Sequence, residues 1–354
     1  MYYFLTASKD ASIYLQQSNQ NTGLDEILEV SKVYYGNIKD IAKSLIKFEV
    51  GFLSASLVDT SISMSEATLV LKETETNEIP LEYTLYVNAV SGAWEMGNGT
   101  RFDNISTAGV TWNYREGDSQ LEWIENSLSP QTTSSNANGT GGTWYTQYES
   151  SKVYNYETAD LIVDVKSILQ AWMSGSIQND GFVIRFGIEE EKDTLDYGQI
   201  KFFSKETNTI FQPKIRIGWD DQTYDSGSLT ALETEDMIVS PKLAEEYKIG
   251  SIPKIRINAR EKYPLKTFVN SFAYQTTKYL PTSSYYQIRD LASDDIIVPF
   301  SDYTKLSCDS SGNYMKVNFS NWEAGRAYKI EFKVVYDGQI YYFDDDNTFR
   351  LVKD

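Results

Sequence analysis

Ser44-Leu45-Ile46-Lys47-Phe48-Glu49-Val50 alternates apolar and polar side chains from Ile46 onward. Successive side chains of an extended strand point to opposite faces, so this period of two predicts a half-buried β-strand. Ala67-Thr68-Leu69-Val70-Leu71-Lys72 predicts another, as does the stretch from Leu81 to Val90. Gly181-Phe182-Val183-Ile184-Arg185-Phe186 follows the turn signal Asn179-Asp180-Gly181. Pro213-Lys214-Ile215-Arg216-Ile217-Gly218-Trp219 alternates again and closes the series. Short strands rich in β-branched and aromatic residues, divided by polar turns, predict an all-β fold. Residues 1–219 are read as a jelly-roll-like β-sandwich.

One amphipathic helix interrupts the strands, from Asp164 to Met173. Asp164 is a good N-cap, and Val165, Ile168, Leu169 and Trp172 fall at i, i+3, i+4 and i+7, forming one apolar stripe. Gly175 stands where a glycine ends a helix. The stripe is expected to pack on an open edge of the sandwich. Gln131 to Gly142 is rich in Ser, Thr, Asn and Gly and reads as an exposed loop that gains order against a neighbouring subunit.

Asp220 to Val239 is polar and acidic, which predicts a linker over residues 220–240. Ser240-Pro241, with Gly250 as a stop, predicts a short helix after it. Strands then resume at Lys254-Ile255-Arg256-Ile257-Asn258, Tyr314 to Phe319, Tyr328 to Val334 and Thr348 to Val352. Asp337-Gly338, between Val335-Tyr336 and Gln339-Ile340-Tyr341-Tyr342, is a strong signal for a two-residue hairpin. Residues 241–354 are read as a smaller immunoglobulin-like β-sandwich without the paired cysteines of antibody domains.

Composition narrows the chemistry. The 354 residues include no histidine and one cysteine, Cys308. That excludes a Ser-His-Asp triad, an imidazole base, a histidine-bearing zinc site, a Cys₄ metal site and any intrachain disulfide. A net charge of −18 repels phosphate backbones and anionic bilayers, so neither nucleic acid nor membrane is an expected partner. The start, Met1 to Ala7, lacks a signal-peptide pattern, and no apolar run reaches the ~20 residues that span a bilayer. Synthesis in a reducing cytoplasm is the expectation. Glu189-Glu190-Glu191-Lys192-Asp193 and Asp344-Asp345-Asp346 offer oxygen ligands for calcium, but neither has EF-hand spacing and both read first as solvated turns. A glycoside hydrolase needs only two carboxylates, yet no spacing singles out a pair. Trp94, Trp112, Trp123 and Trp144 cluster in the first half and are candidates either for core or for a sugar-stacking face. The expectation is therefore no catalytic residue, no cofactor, no metal and no hydrolase activity.

The first half carries an ordered set of landmarks. Tyr35-Gly36 comes first, then Ser44 to Val50, then Ile62 with Ala67 to Leu71. Trp94 precedes Val110-Thr111-Trp112-Asn113, and Asp164 through Trp172-Met173-Ser174-Gly175 follows. Asn179, Gly181-Phe182, Phe203-Ser204-Lys205-Glu206 and Pro213 complete the set. In this order they resemble the DNRLRE-type domain, a jelly-roll module. Asn21 to Val30, Lys262-Tyr263-Pro264, Tyr279-Leu280-Pro281, Leu306 to Asp309 and Gly312-Asn313-Tyr314 carry a second likeness. Through them the whole chain resembles virion structural proteins of T4-like marine tailed bacteriophages. The resemblance implies a multi-copy component of the virion (neck, collar, tail or baseplate), made in the host cytoplasm. Its partners would be copies of itself and other virion proteins. A carbohydrate-binding adhesin, with a cell-surface glycan as partner, is the alternative.

Overall fold

The computed structural model describes residues 1–51, 53, 64–77, 82–123, 132–134, 140–155, 159–264 and 277–353. Among them the chain is all-β, with mostly antiparallel sheets and two short α-helices. It divides into two compact units. The first holds Leu5–Ser61 and Glu66–Arg216; the second holds Met1–Phe4, Ile62–Ser65 and Ile217–Asp354.

The largest sheet, in the first unit, has nine strands. In spatial order these are β10 (Thr132–Thr133), β11 (Trp144–Asn155), β7 (Glu82–Val90), β13 (Phe182–Arg185), β4 (Ile38–Lys47), β3 (Ile27–Tyr35), β14 (Gly198–Phe203) and β6 (Glu73–Asn77), while β2 (Lys9–Tyr14) also pairs with β4. A second sheet runs β1 (Tyr2–Thr6), β15 (Lys214–Gly218), β5 (Glu66–Leu71) and β12 (Leu161–Asp164). A ribbon of β8 (Tyr114–Glu116) and β9 (Leu121–Glu122) lies in the long β7–β11 connection.

Strand β4 shows why alternation was legible only in part. Ile46, Phe48 and Val50 are buried while Lys47 and Glu49 are not, but Ile41 through Ile46 are buried without a break. Both faces of the sheet are covered there, so both registers of side chain leave water. Leu45 pairs with Val183 and with Ala11, and on that face these residues pack against Trp94, Trp112, Trp123 and Trp144. Ile46 pairs with Phe182, whose ring turns the other way and meets Trp172 at 4.7 Å and Phe48 at 6.0 Å. The β7–β11 connection thus supplies a tryptophan-rich lid on one face.

Helix α1 spans Lys166–Met173 and starts one residue later than expected, because Val165 and not Asp164 takes the N-cap position. Asp164 still serves the helix start, since its Oδ1 accepts the Lys166 N–H at 2.8 Å. Val165, Ile168, Leu169 and Trp172 are all buried, and Gly175 adopts φ +72°, as a helix-ending glycine does. Helix α2 (Ile188–Lys192) was not foreseen, because its five residues show too little periodicity to announce a helix.

In the second unit one sheet runs β16 (Met237–Pro241), β18 (Lys254–Glu261), β22 (Gly312–Lys316) and β21 (Ser307–Asp309). The other runs β17 (Glu246–Lys248), β25 (Thr348–Val352), β23 (Ala327–Tyr336), β19 (Ser284–Asp290) and β20 (Ile296–Val298), with β24 (Gln339–Phe343) paired to β23. Their inner faces share a core of Val239, Ile255, Ile257, Ile288, Met315, Phe319, Ile330, Phe332 and Leu351. Asp337 and Gly338 take φ +47° and +75° and close the β23–β24 hairpin as the sequence predicts.

Two expectations are corrected here. The acidic stretch 220–240 is not a detached linker: Leu232, Met237 and Val239 are buried in the core, and Leu232 N–H bonds to the Tyr279 carbonyl at 3.0 Å. The helix expected from Ser240 is instead the end of β16, paired with β18 through Ser240↔Asn258 and Pro241↔Ile257. Pro241 is tolerated because β16 is an edge strand, where a missing N–H leaves no inner ladder bond unmade. Sparse apolar residues and a high acid count concealed a segment anchored by three side chains.

Candidate functional site

The buried side of the tryptophan lid holds an unusual set of charges. Lys43, on β4, is fully enclosed, and its Nζ lies 3.1 Å from Glu191 Oε2 and donates to the Gly141 carbonyl at 3.0 Å. The ammonium faces the rings of Trp144 and Trp112 at 4.8 and 5.1 Å. Arg185 reaches the same Trp144 from β13 at 4.3 Å and donates to Asn88 Oδ1 at 3.1 Å and Glu149 Oε2 at 3.0 Å. Burial pulls the Lys43 pKa below its usual range, and the nearby Glu191 carboxylate opposes that pull. Lys43, Arg185 and Glu191 are buried beside the indole rings while Glu149 reaches Arg185 from the surface, an arrangement suited to fixing the lid's register on the sheet.

Glu189 to Asp193 is therefore not a solvated turn throughout. It forms α2, which buries Glu191 on Lys43, while Asp193 bonds Lys32 Nζ at 3.1 Å. Asp344, Asp345 and Asp346 do lie in an exposed turn, with Asp344 paired to Lys329. No group of three or more metal-ligating side chains occurs among the described residues. The four tryptophans left open between core and sugar face are all core, and Trp172, Trp219 and Trp322 are buried too. In the loop 131–142, residues 131 and 135–139 lie outside the described residues. The rest is not simply exposed: Thr132 and Thr133 pair with β11, and Ser134, Gly141 and Gly142 are buried.

The first unit also opens a cleft of about 190 Å³, lined by Tyr14, Asp25, Glu26, Ile27, Glu29, Arg101, Phe102 and Lys201. The loop carrying Arg101 and Phe102 is held by Asn21, a fully buried side chain. Its Nδ2 donates to the Met96 and Val110 carbonyls, each at 2.8 Å, and its Oδ1 accepts from Gly99 N–H at 2.8 Å and Gly23 N–H at 3.2 Å. Both donors and both lone pairs are spent on backbone. Gly97 follows at φ +79°, where a Cβ would sit 2.0 Å from the Ala108 carbonyl oxygen, so only glycine fits. Gln20 Nε2 adds a bond to the Thr100 carbonyl at 2.6 Å.

On this braced loop the Arg101 guanidinium lies 4.1 Å from the Tyr14 ring centroid and pairs with Glu29, while the Arg101 backbone N–H donates to Asp25 Oδ1 at 3.0 Å. Burial raises the Asp25 pKa, partly opposed by that N–H and by the Arg101 charge. Glu26 Oε1 accepts from Asn208 at 2.8 Å, and Lys201 pairs with Glu75 at 3.1 Å. Phe102 stands 88% exposed at the rim. Sequence reasoning missed this cleft. Asn21 to Asp25 entered only as part of a resemblance, and nothing in Thr100-Arg101-Phe102 signals that it meets β2 and β3.

The second unit presents a different surface. Strand β24 pairs with β23 through Val335↔Ile340 and Lys333↔Tyr342 and with no other described strand. In a hairpin closed by two residues, the ladder's alternation turns the N–H and C=O of Ile340 and Tyr342 outward. Their side chains are 55% and 66% exposed. Tyr342 approaches Phe300 at 6.0 Å, and Lys333 spans Phe300 and Tyr285 at 5.2 and 4.5 Å. Exposed Asp337, Asp344, Asp345 and Asp346 bracket the strand.

No family model matches the chain, and no curated protein matches it. Among solved structures, a DUF4785 family protein from Legionella pneumophila is similar at 9% identity and a TM-score of 0.19, over 100% of this chain and 65% of that one. A β-glucuronidase from Parabacteroides merdae is similar at 8% identity and a TM-score of 0.18, over 92% of this chain and 36% of that one. The chain thus spans less than two thirds of the length of either, and scores this low establish no shared fold.

Proposed function

We propose that this chain is a non-enzymatic structural protein that works by assembling, in multiple copies, into a tailed bacteriophage particle as a neck, collar, tail or baseplate component. The observation that carries the assembly reading is β24. An edge strand with outward N–H and C=O groups and exposed Ile340 and Tyr342 offers a template for another strand, and soluble proteins ordinarily blunt such edges. Its occupant is an extended segment of another virion protein that brings basic side chains to Asp337 and the Asp344–Asp346 turn. A second copy of this chain is disfavoured there, because each carries −18 and the same acidic turns would meet. The enclosed pairing of the Lys43 and Arg185 charges supports a scaffold role over a catalytic one. The resemblance in Asn21 to Val30 and beyond supplies the virion context.

The test is the double substitution Ile340→Lys with Tyr342→Lys, which charges the edge without touching the core. Mass spectrometry would count copies of the chain in particles purified from cells producing the full set of virion proteins. Wild type should appear at a fixed stoichiometry and the variant, equally folded by circular dichroism, should be depleted. A wild-type chain absent from particles, or a variant incorporated at wild-type level, would overturn the reading.

A further inference from the structure

We propose that the cleft at Tyr14, Arg101 and Phe102 is a binding site for an uncharged sugar ring. The inference is independent of the structural role assigned to β24.

Three observations lead there. First, Phe102 exposes nearly its whole ring on a loop braced by Asn21, Gln20 and the close packing of Gly97. A large apolar side chain held in water on a rigid support is a surface built to be covered. An aromatic face is matched by the C–H face of a pyranose. Second, the carboxylates are each held by one oxygen. Asp25 uses Oδ1, Glu26 uses Oε1 and Glu29 uses Oε2. Among the described residues their second oxygens make no hydrogen bond to protein, and all three residues line the cleft, where these oxygens can accept from a ligand. Third, the lining carries both signs. Asp25, Glu26 and Glu29 repel an anion, and Arg101 and Lys201 repel a cation. Vicinal hydroxyls each donate and accept, so they suit mixed lining without the desolvation of a net charge. The volume, about 190 Å³, is below the range typical of drug-sized ligands and suits a single ring.

Saturation-transfer NMR on the full chain tests this. The probes are glucose, galactose and N-acetylglucosamine, with L-arginine and inorganic phosphate as charged comparators. At least one neutral sugar should receive saturation at its ring C–H protons, with a dissociation constant in the millimolar range expected of so small a ligand. Phe102→Ala removes an exposed ring whose centroid lies 5.3 Å from the Arg101 guanidinium carbon, and should weaken that binding about tenfold or more. Glu26→Gln, which keeps an acceptor oxygen, should weaken it less. Failure of every neutral sugar at about ten times the expected constant, binding of arginine or phosphate alone, or sugar binding unchanged in Phe102→Ala would each overturn the assignment.

Discussion

Asp10 is the sharpest place to test the electrostatics of the first unit. It lies on β2 opposite Ile46, almost wholly buried. Its Oδ2 accepts the Lys205 N–H at 2.6 Å, while Oδ1 is buried with no hydrogen-bond partner. Burial dominates, and although the Lys205 N–H and charge pull the other way, the carboxyl is raised to about 7. An unfolded aspartate titrates near 3.8. A folded pKa above the unfolded one means that the native state holds the proton more tightly. Its stabilising contribution is complete below about pH 4 and disappears as pH rises through about 7. A gap of about three units, at ~1.4 kcal/mol each, amounts to about 4 kcal/mol. Asp10→Asn fixes the neutral form at every pH. Its amide oxygen can keep the Lys205 bond, and the buried NH₂ in place of Oδ1 adds a constant penalty of about 1–3 kcal/mol. The variant-minus-wild-type stability should therefore climb by about 4 kcal/mol between about pH 4 and pH 8, whatever the offset. Subtraction removes groups that titrate alike in both proteins. Urea melts followed by fluorescence of the buried tryptophans would measure it at several pH values. A difference that stays flat, or falls as pH rises, would refute the reasoning.

The remaining predictions concern packing in the same unit. Trp172→Ala removes the ring that bridges α1 to Phe182 and should lower unfolding free energy by about 3–5 kcal/mol in denaturant melts; a loss below about 1 kcal/mol would argue that α1 is not held by its stripe. Lys43→Met strands the Glu191 carboxylate beneath the tryptophan lid and should cost about 3–5 kcal/mol, with much of that recovered by adding Glu191→Leu. If the double variant is no better than the single one, the pair is not the reason for the loss. Gly141→Ala would place a Cβ 2.6 Å from Trp112 Cζ2 at φ +82°, and calorimetry should show a cost of about 1–3 kcal/mol; an unchanged melting temperature would show that the lid yields there.

The sequence by itself determined the local elements. Alternation over Ile46 to Val50, the stripe Val165-Ile168-Leu169-Trp172 and the Asp337-Gly338 turn are short-range patterns, set by side-chain period and backbone preference within a few residues. They yielded the all-β class, the helix and the hairpin. What failed were features set by long-range neighbours. Lys43 and Glu191 stand 148 positions apart and look like surface charges until β4 and α2 bring them to 3.1 Å under two indoles. Residues 220–240 look like a linker because three buried side chains among acids leave no period to detect, yet β18 pairs with them. Trp94 to Trp144 could be platform or core until both faces of β4 were seen to be covered. The Arg101 cleft needed Asn21 to meet Met96, Gly99 and Val110 through three hydrogen bonds that no spacing encodes. Local chemistry chose the strands; only tertiary structure, by deciding which face of each strand loses its water, decided which charges pair and which ring stays exposed.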